Sequence, residues 1–244
     1  MDGSIEDGHN RGGDIMKKQL ALETILNVGI VPVVRVASQK QAMLAVQAVS
    51  EGGIPIAEIT MTVPGAVDLI RDLTRTLGSK VLVGAGTVLD AETAQKCIDS
   101  GASFLVSPNF DRLTVELAIA HDVVMMAGAL TPTEVVDAWK AGADFVKIFP
   151  CGLVGGPRYL RALRGPLPHI RMVPTGGVNL STAAEFIFSG AAALGIGGEL
   201  ISTAAIQAGD TTAIIDSARK YVEIVASARE HLRNTKTSTV GSVS

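Results

Sequence analysis

Cysteine is almost absent from this 244-residue chain, which has two, Cys97 and Cys151. Two cysteines cannot make a disulfide framework, so the sequence predicts a reducing, cytoplasmic setting. No apolar run approaches the roughly 20 residues needed to cross a bilayer, and the polar N-terminus lacks the apolar stretch of a secretory signal. Positive charge is not in excess either. Lys and Arg number 21 against 24 Asp and Glu, a formal charge of −3 with no basic stripe, which argues against nucleic acid and acidic membrane surfaces as partners. Histidine is scarce and scattered. His9, His121, His169 and His231 form no HxH or HxxxH pair, so no metal site is expected. What is plentiful is apolar material, 47% of residues against 18% charged, enough to bury a sizeable core. The length suits a single α/β barrel.

Residues 1–15 and 234–244 are poor in apolar side chains and read as disordered tails flanking one domain over 16–233. Within it a phrase recurs: Glu51-Gly52-Gly53, Ser100-Gly101-Ala102, Ala141-Gly142-Ala143 and Ser189-Gly190-Ala191. Each follows an amphipathic segment and precedes an apolar one, the pattern of a helix closed by a left-handed glycine before a strand. The repeats lie 49, 41 and 48 residues apart, two strand–helix units per interval. Eight apolar runs read as strands: Ile30–Val36, Ile56–Met61, Val81–Gly86, Phe104–Ser107, Val123–Ala127, Phe145–Pro150, Met172–Thr175 and Ala193–Gly197. Continuous rather than alternating apolarity marks parallel strands covered on both faces. Thr131-Pro132-Thr133-Glu134 reads as a capping box with a first-turn proline, and Asp90 and Asn179 as N-caps. The predicted fold is a (β/α)8 barrel with an extra N-terminal helix. An open doubly wound sheet is the alternative, but it calls for a glycine-rich turn after the first strand, where this chain has Arg35-Val36-Ala37-Ser38.

In such barrels chemistry sits at the carboxyl ends of the strands. Those ends carry Arg35, Glu58, Thr87, Ser107-Pro108, Gly128, Lys147, Thr175-Gly176-Gly177 and Gly197-Gly198. Lys147 interrupts an apolar strand, where burial disfavours the ammonium form. A desolvated amine suits Schiff-base formation with a ketone; a structural ion pair or a snorkelling lysine is the bland reading. Glu58 interrupts another strand, either as a general acid/base or merely as the counter-charge to Lys147. Val83-Gly84-Ala85-Gly86-Thr87 lacks the lysine of a P-loop. Its glycines read as room for a backbone to approach a ligand, or as tight barrel packing. The glycines after strands seven and eight offer backbone N–H groups to an anion, or simply make turns. Cys151 has no histidine near it in sequence and reads as packing.

Gly84-Ala85-Gly86-Thr87-Val88-Leu89, Val106-Ser107-Pro108-Asn109, Val146-Lys147-Ile148-Phe149-Pro150 and Pro174-Thr175-Gly176-Gly177 together resemble the class I KHG/KDPG aldolases and their 6-phosphogalactonate relatives. The likeness runs in order from about Ile25 to Ile201. It implies a (β/α)8 barrel, a homotrimer, no metal and no cofactor, with a 2-keto-3-deoxy sugar acid phosphate and pyruvate as ligands. By that resemblance Lys147 matches the Schiff-base lysine and Glu58 the catalytic acid/base. Thr87 matches a holder of the pyruvate carboxylate, and Pro108 and Phe149 match pocket walls. Thr175, Gly176, Gly177, Gly197 and Gly198 match the hydroxyl- and phosphate-side loops, and Arg35 is similar to a first-strand arginine of some members. Two positions depart from the family pattern. Met61-Thr62-Val63 replaces Leu-Arg-Thr, leaving Arg35 to substitute for a carboxylate-binding arginine. Glu199 replaces a serine, and a carboxylate there repels phosphate unless it turns away or pairs with a basic residue.

The implied reaction is reversible cleavage of 2-keto-3-deoxy-6-phosphogluconate to pyruvate and glyceraldehyde 3-phosphate, with 4-hydroxy-2-oxoglutarate as a further substrate. The 6-phosphogalactonate analogue or an unphosphorylated 2-keto-3-deoxy acid is the alternative. Readings of another class are a phosphosugar isomerase or epimerase using Glu58 for proton transfer, and a non-catalytic phosphosugar-binding protein.

Overall fold

In the computed structural model, residues 11–240 are described, with side chains from Met16 to Thr235. The recurring phrase does what its glycines suggest: Gly53, Gly101, Gly142 and Gly190 adopt φ of 94°, 92°, 99° and 93°. There a β-carbon is strained and glycine ends a helix at little cost. Each hands the chain to a strand. Eight strands result, β1 (Ile30–Val34), β2 (Ile56–Thr60), β3 (Leu82–Gly86), β4 (Phe104–Val106), β5 (Val124–Ala129), β6 (Phe145–Ile148), β7 (Met172–Pro174) and β8 (Leu194–Ile196). All pairings are parallel, in the order β7-β6-β5-β4-β3-β2-β1-β8. A single parallel bridge between Thr175 and Gly195 joins the two end strands. The barrel is therefore nearly closed, and the open-sheet alternative is set aside. Every strand expected from the sequence is present, most of them trimmed by one or two residues. Arg35, Phe149 and Thr175 consequently stand just past their strands rather than in them.

The helices are α1 (Arg11–Val28), α2 (Gln39–Glu51), α3 (Ala66–Leu77), α4 (Ala91–Asp99), α5 (Arg112–Ala120), α6 (Pro132–Lys140), α7 (Pro157–Arg164), α8 (Ala183–Phe188), α9 (Thr203–Ala208) and α10 (Thr211–Val240). A 3-10 turn, Cys151–Val154, precedes α7. The capping box of α6 is formed, with Glu134 accepting from the Thr131 backbone at 2.7 Å. Asp90 caps α4 through the Thr93 N–H at 2.7 Å. Asn179 differs from expectation. Its side chain holds the turn at Ser181 and Thr182, and α8 starts one turn later with Thr182 as N-cap.

The expected extra helix is α1. It lies across the amino ends of the strands, with Ala21 and Ile25 buried and Lys18 paired to Asp144 at 3.1 Å. Asp144 also accepts from the Met125 N–H at 2.9 Å. Arg229 of α10 closes the same end by donating to the carbonyls of Asn27 and Ala192. The helices reach into both expected tails, α1 beginning at Arg11 and α10 running through Val240. Once a helix is nucleated, each added residue brings a hydrogen bond at little further cost, so it outruns its packed part. The rest of the expected tails, residues 1–10 and 241–244, lies outside the described residues.

Candidate active site

Lys147 is the third residue of β6, flanked by the buried Val146 and Ile148, and only 6% of its surface is exposed. Its strand partners are Gly128 of β5 and Val173 of β7. Glu58 is the third residue of β2, 2% exposed, partnered by Val33 and Gly84. The two side chains turn into the barrel from different strands and meet: Nζ of Lys147 lies 4.0 Å from Oε1 of Glu58. That distance permits charge attraction but is too long for a hydrogen bond. Lys147 donates no hydrogen bond among the described residues, and its Nζ sits 5.4 Å from the Phe149 ring centroid. Oε1 of Glu58 is buried without a hydrogen-bond partner among the described residues. Burial raises the Glu58 carboxyl above the ordinary carboxylate range, and the charges of Lys147 and then Arg35 pull it down without cancelling that rise. A carboxyl whose ion-pair partner stands too far off to hydrogen-bond it, and which burial makes proton-hungry, is suited to shuttling protons.

The space for that carboxyl comes from Gly86. A β-carbon on Gly86 would stand 2.0 Å from Oε1 of Glu58, and one on Gly84 would stand 2.5 Å from the Phe104 ring. The alternating glycines of β3 thus accommodate barrel side chains rather than a ligand. For Gly84 the packing reading holds, and the specific service of Gly86 to Glu58 was not read from sequence. The signal was there, since glycine recurring with the strand's period of two must empty one face. Gly86→Ala is expected to displace the carboxyl, cutting kcat about 100-fold and costing about 1–3 kcal/mol of stability. Steady-state kinetics beside a denaturation curve would measure both; unchanged kcat would show that Glu58 needs no such room.

Other predicted residues surround this pair. Gly128 has the Pro108–Asn109 backbone against it, within 2.2 Å of where a β-carbon would stand, so Pro108 lies beside the strand partner of Lys147. Ser107 holds that loop, donating to the Asn109 carbonyl at 2.6 Å and accepting from the Gly128 N–H at 3.3 Å. Thr87 follows Gly86 with φ of 59°, a left-handed conformation that is an outlier for a β-branched residue. Thr60 donates to the Val34 carbonyl and bonds the Thr62 hydroxyl at 2.7 Å, so the Thr62 side chain is folded back on its own strand.

A cleft of about 290 Å³ opens beside the pair, lined by Val33, Arg35, Phe149, Thr175, Gly176, Gly177, Gly197, Gly198 and Glu199, among others. The structure thus gathers Arg35, Phe149 and the glycine loops in one cleft, with Thr87 and Pro108 outside its lining. Gly176 and Gly177 have φ of 84° and 78°, and the N–H groups of Gly176, Gly177, Gly197 and Gly198 donate to no backbone acceptor among the described residues. Glu199 is exposed, is among the residues that line the cleft, and makes no ion pair among the described residues.

Histidine and cysteine contribute nothing here. His169 packs on Trp139 and His231 on Phe188, and His9 lies outside the described residues. Among the described residues no three His, Cys, Asp or Glu side chains are placed to hold a metal. Burial pushes the Cys151 thiol up to about 11, which leaves it inert and supports its packing role.

A nearly closed parallel barrel, with a buried amine and carboxyl meeting near the carboxyl ends of its strands, is an enzyme architecture. The family model of KDPG and KHG aldolases matches residues 22–217. The 2-dehydro-3-deoxy-phosphogluconate aldolase of Treponema pallidum is 34% identical over 204 residues, covering 83% of this chain and 96% of that protein. The KHG/KDPG aldolase of Escherichia coli K12 is 32% identical over 203 residues, 82% of this chain and 94% of that one. A solved native KDPGal structure superposes with a TM-score of 0.77 at 28% identity, covering 82% and 96% of the two chains. The chain belongs to the KDPG and KHG aldolase family of carbon–carbon lyases.

Proposed function

We propose that this chain is a class I aldolase that reversibly cleaves 2-keto-3-deoxy-6-phosphogluconate to pyruvate and glyceraldehyde 3-phosphate, and 4-hydroxy-2-oxoglutarate to pyruvate and glyoxylate. The observation that carries this reading is the buried Lys147 amine, 4.0 Å from an unbonded Glu58 oxygen. Membership of a family whose relatives bear those substrate names supports it.

The lone pair of Lys147 adds to the C2 ketone, and loss of water gives an iminium. Glu58 takes the proton of the C4 hydroxyl, the C3–C4 bond breaks, and its electrons flow into the iminium, leaving an enamine as the aldehyde departs. The proton on Glu58 then goes to C3, water adds to the renewed iminium, and pyruvate leaves the regenerated amine. The route as written calls on no cofactor. Thr87 and Arg35 are assigned to the keto-acid carboxylate, Arg35 standing in for the arginine that Thr62 replaces. Pro108 and Phe149 wall the reacting carbons. Thr175, with Gly176, Gly177, Gly197 and Gly198, receives the distal hydroxyls and phosphate, since N–H groups that bond no backbone carbonyl among the described residues, on glycines lining one cleft, suit an anion.

We place the enzyme in the cytoplasm as a homotrimer, by resemblance to the family; no helix among the described residues is long and apolar enough to cross a membrane. Light scattering on the eluted protein would return three chain masses, and a single chain mass would reject the trimer. The function is tested by offering 2-keto-3-deoxy-6-phosphogluconate and following pyruvate with lactate dehydrogenase. Pyruvate release at enzyme-like turnover is expected, and isomerisation of a phosphosugar without pyruvate would overturn the proposal.

A further inference from the structure

The cleft beside the reactive pair carries two opposed charges. Arg35 lines it, Glu199 lines it too, and four glycines between them supply N–H groups that bond no backbone carbonyl among the described residues. Neither Arg35 nor Glu199 has an ion pair or hydrogen bond among the described residues; the Arg35 charge acts on the buried Glu58 carboxyl, whereas Glu199 lines the cleft with no cation paired to it. The Glu199 charge also reaches the buried Tyr221 hydroxyl. That hydroxyl has no hydrogen-bond partner among the described residues and does nothing to neutralise the carboxylate.

Free N–H groups beside a free carboxylate discriminate between kinds of ligand. An ionised phosphate accepts hydrogen bonds and donates none, so it satisfies the N–H groups while Glu199 repels it. A hydroxyl accepts from an N–H and donates its own proton to the carboxylate, which satisfies both. We propose that Glu199 is a specificity-determining residue that shifts this site toward 2-keto-3-deoxy acids ending in a hydroxyl and away from those ending in phosphate, so that both classes are substrates. This rests on the aldolase reading above. A phosphomonoester carries about −1.5 to −2 charges at neutral pH, and a like charge held about 6 Å away in a water-like medium weakens its binding about tenfold.

The test measures kcat and KM for 2-keto-3-deoxy-6-phosphogluconate and for 2-keto-3-deoxygluconate, in the wild-type protein and in Glu199→Gln, at low and high salt. The substitution keeps size and an acceptor oxygen at an exposed position, so the fold is not at risk. The expected result is a rise of about tenfold in the preference for the phosphorylated substrate, carried by its KM. That gain should shrink at high salt as the exposed charge is screened. A preference that stays within twofold of wild type, or an equal change for both substrates, would overturn the proposal. Borohydride trapping of pyruvate on the wild-type protein separates the two possible failures. No trapping removes the aldolase reading and this inference with it, whereas trapping with an unmoved preference removes only the role of Glu199.

Discussion

Lys147→Ala is expected to lower aldol cleavage by about four to six orders of magnitude, the scale on which loss of a covalent nucleophile acts. The expectation follows from the route rather than from packing. Without the amine there is no iminium, and the residues lining the cleft include no lysine to supply one. The protein should still fold. The amine makes no hydrogen bond among the described residues, and its one charged contact is the 4.0 Å approach to Glu58. Truncation leaves a cavity among Gly128, Val173 and Phe149, so a lower melting temperature is expected with secondary structure retained. Circular dichroism alongside pyruvate release would check both halves. A folded variant with more than a hundredth of wild-type turnover would remove Lys147 from the chemistry.

Glu58→Gln is expected to reduce kcat by about 10²- to 10⁴-fold, the range for losing a positioned acid/base. It should still form the imine, because Lys147 is untouched. The pH profile gives the sharper signature. Catalysis needs the ionised carboxylate to accept the C4 hydroxyl proton, and burial holds Glu58 above the ordinary carboxylate range. The wild-type rate should therefore rise with pH along a limb displaced above that range, and the limb should vanish in the variant. The stability consequence has the opposite sense. The folded protein keeps a proton on Glu58 where the unfolded chain has lost it, so the contribution of this group is full at pH below the ordinary carboxylate value. It is lost as pH climbs through the raised one. Parallel pH–rate and pH–stability curves for wild type and Glu58→Gln would test this. A wild-type limb at the ordinary carboxylate position would contradict the burial argument.

The sequence made the barrel legible because its punctuation is physical. Gly53, Gly101, Gly142 and Gly190 each sit where only a left-handed residue closes a helix, and the apolar runs that follow cannot be half-exposed strands. Lys147 and Glu58 were equally visible, as charges that interrupt buried strands. Less visible was anything that depends on how far apart strands bring their side chains. The meeting of β2 with β6 joins residues 89 positions apart, and nothing local encodes it. The need of Glu58 for the empty face of Gly86 is likewise a relation between two strands. Most strands end one or two residues before their apolar runs do, as at Val36 and Phe149, whereas β5 runs on to Ala129. Glu199 was noticed as a departure, but whether it turned away, paired or faced the ligand depends on the conformation of the loop after β8.

The account stands or falls on a covalent bond to one nitrogen. Incubating the protein with pyruvate, adding borohydride and mapping the peptides by mass spectrometry tests it directly. One reduced pyruvate, as a carboxyethyl group on Nε of Lys147, is the predicted product, absent when pyruvate is omitted and absent from Lys147→Ala. No adduct, or an adduct distributed over other lysines and unaffected by that substitution, would contradict it.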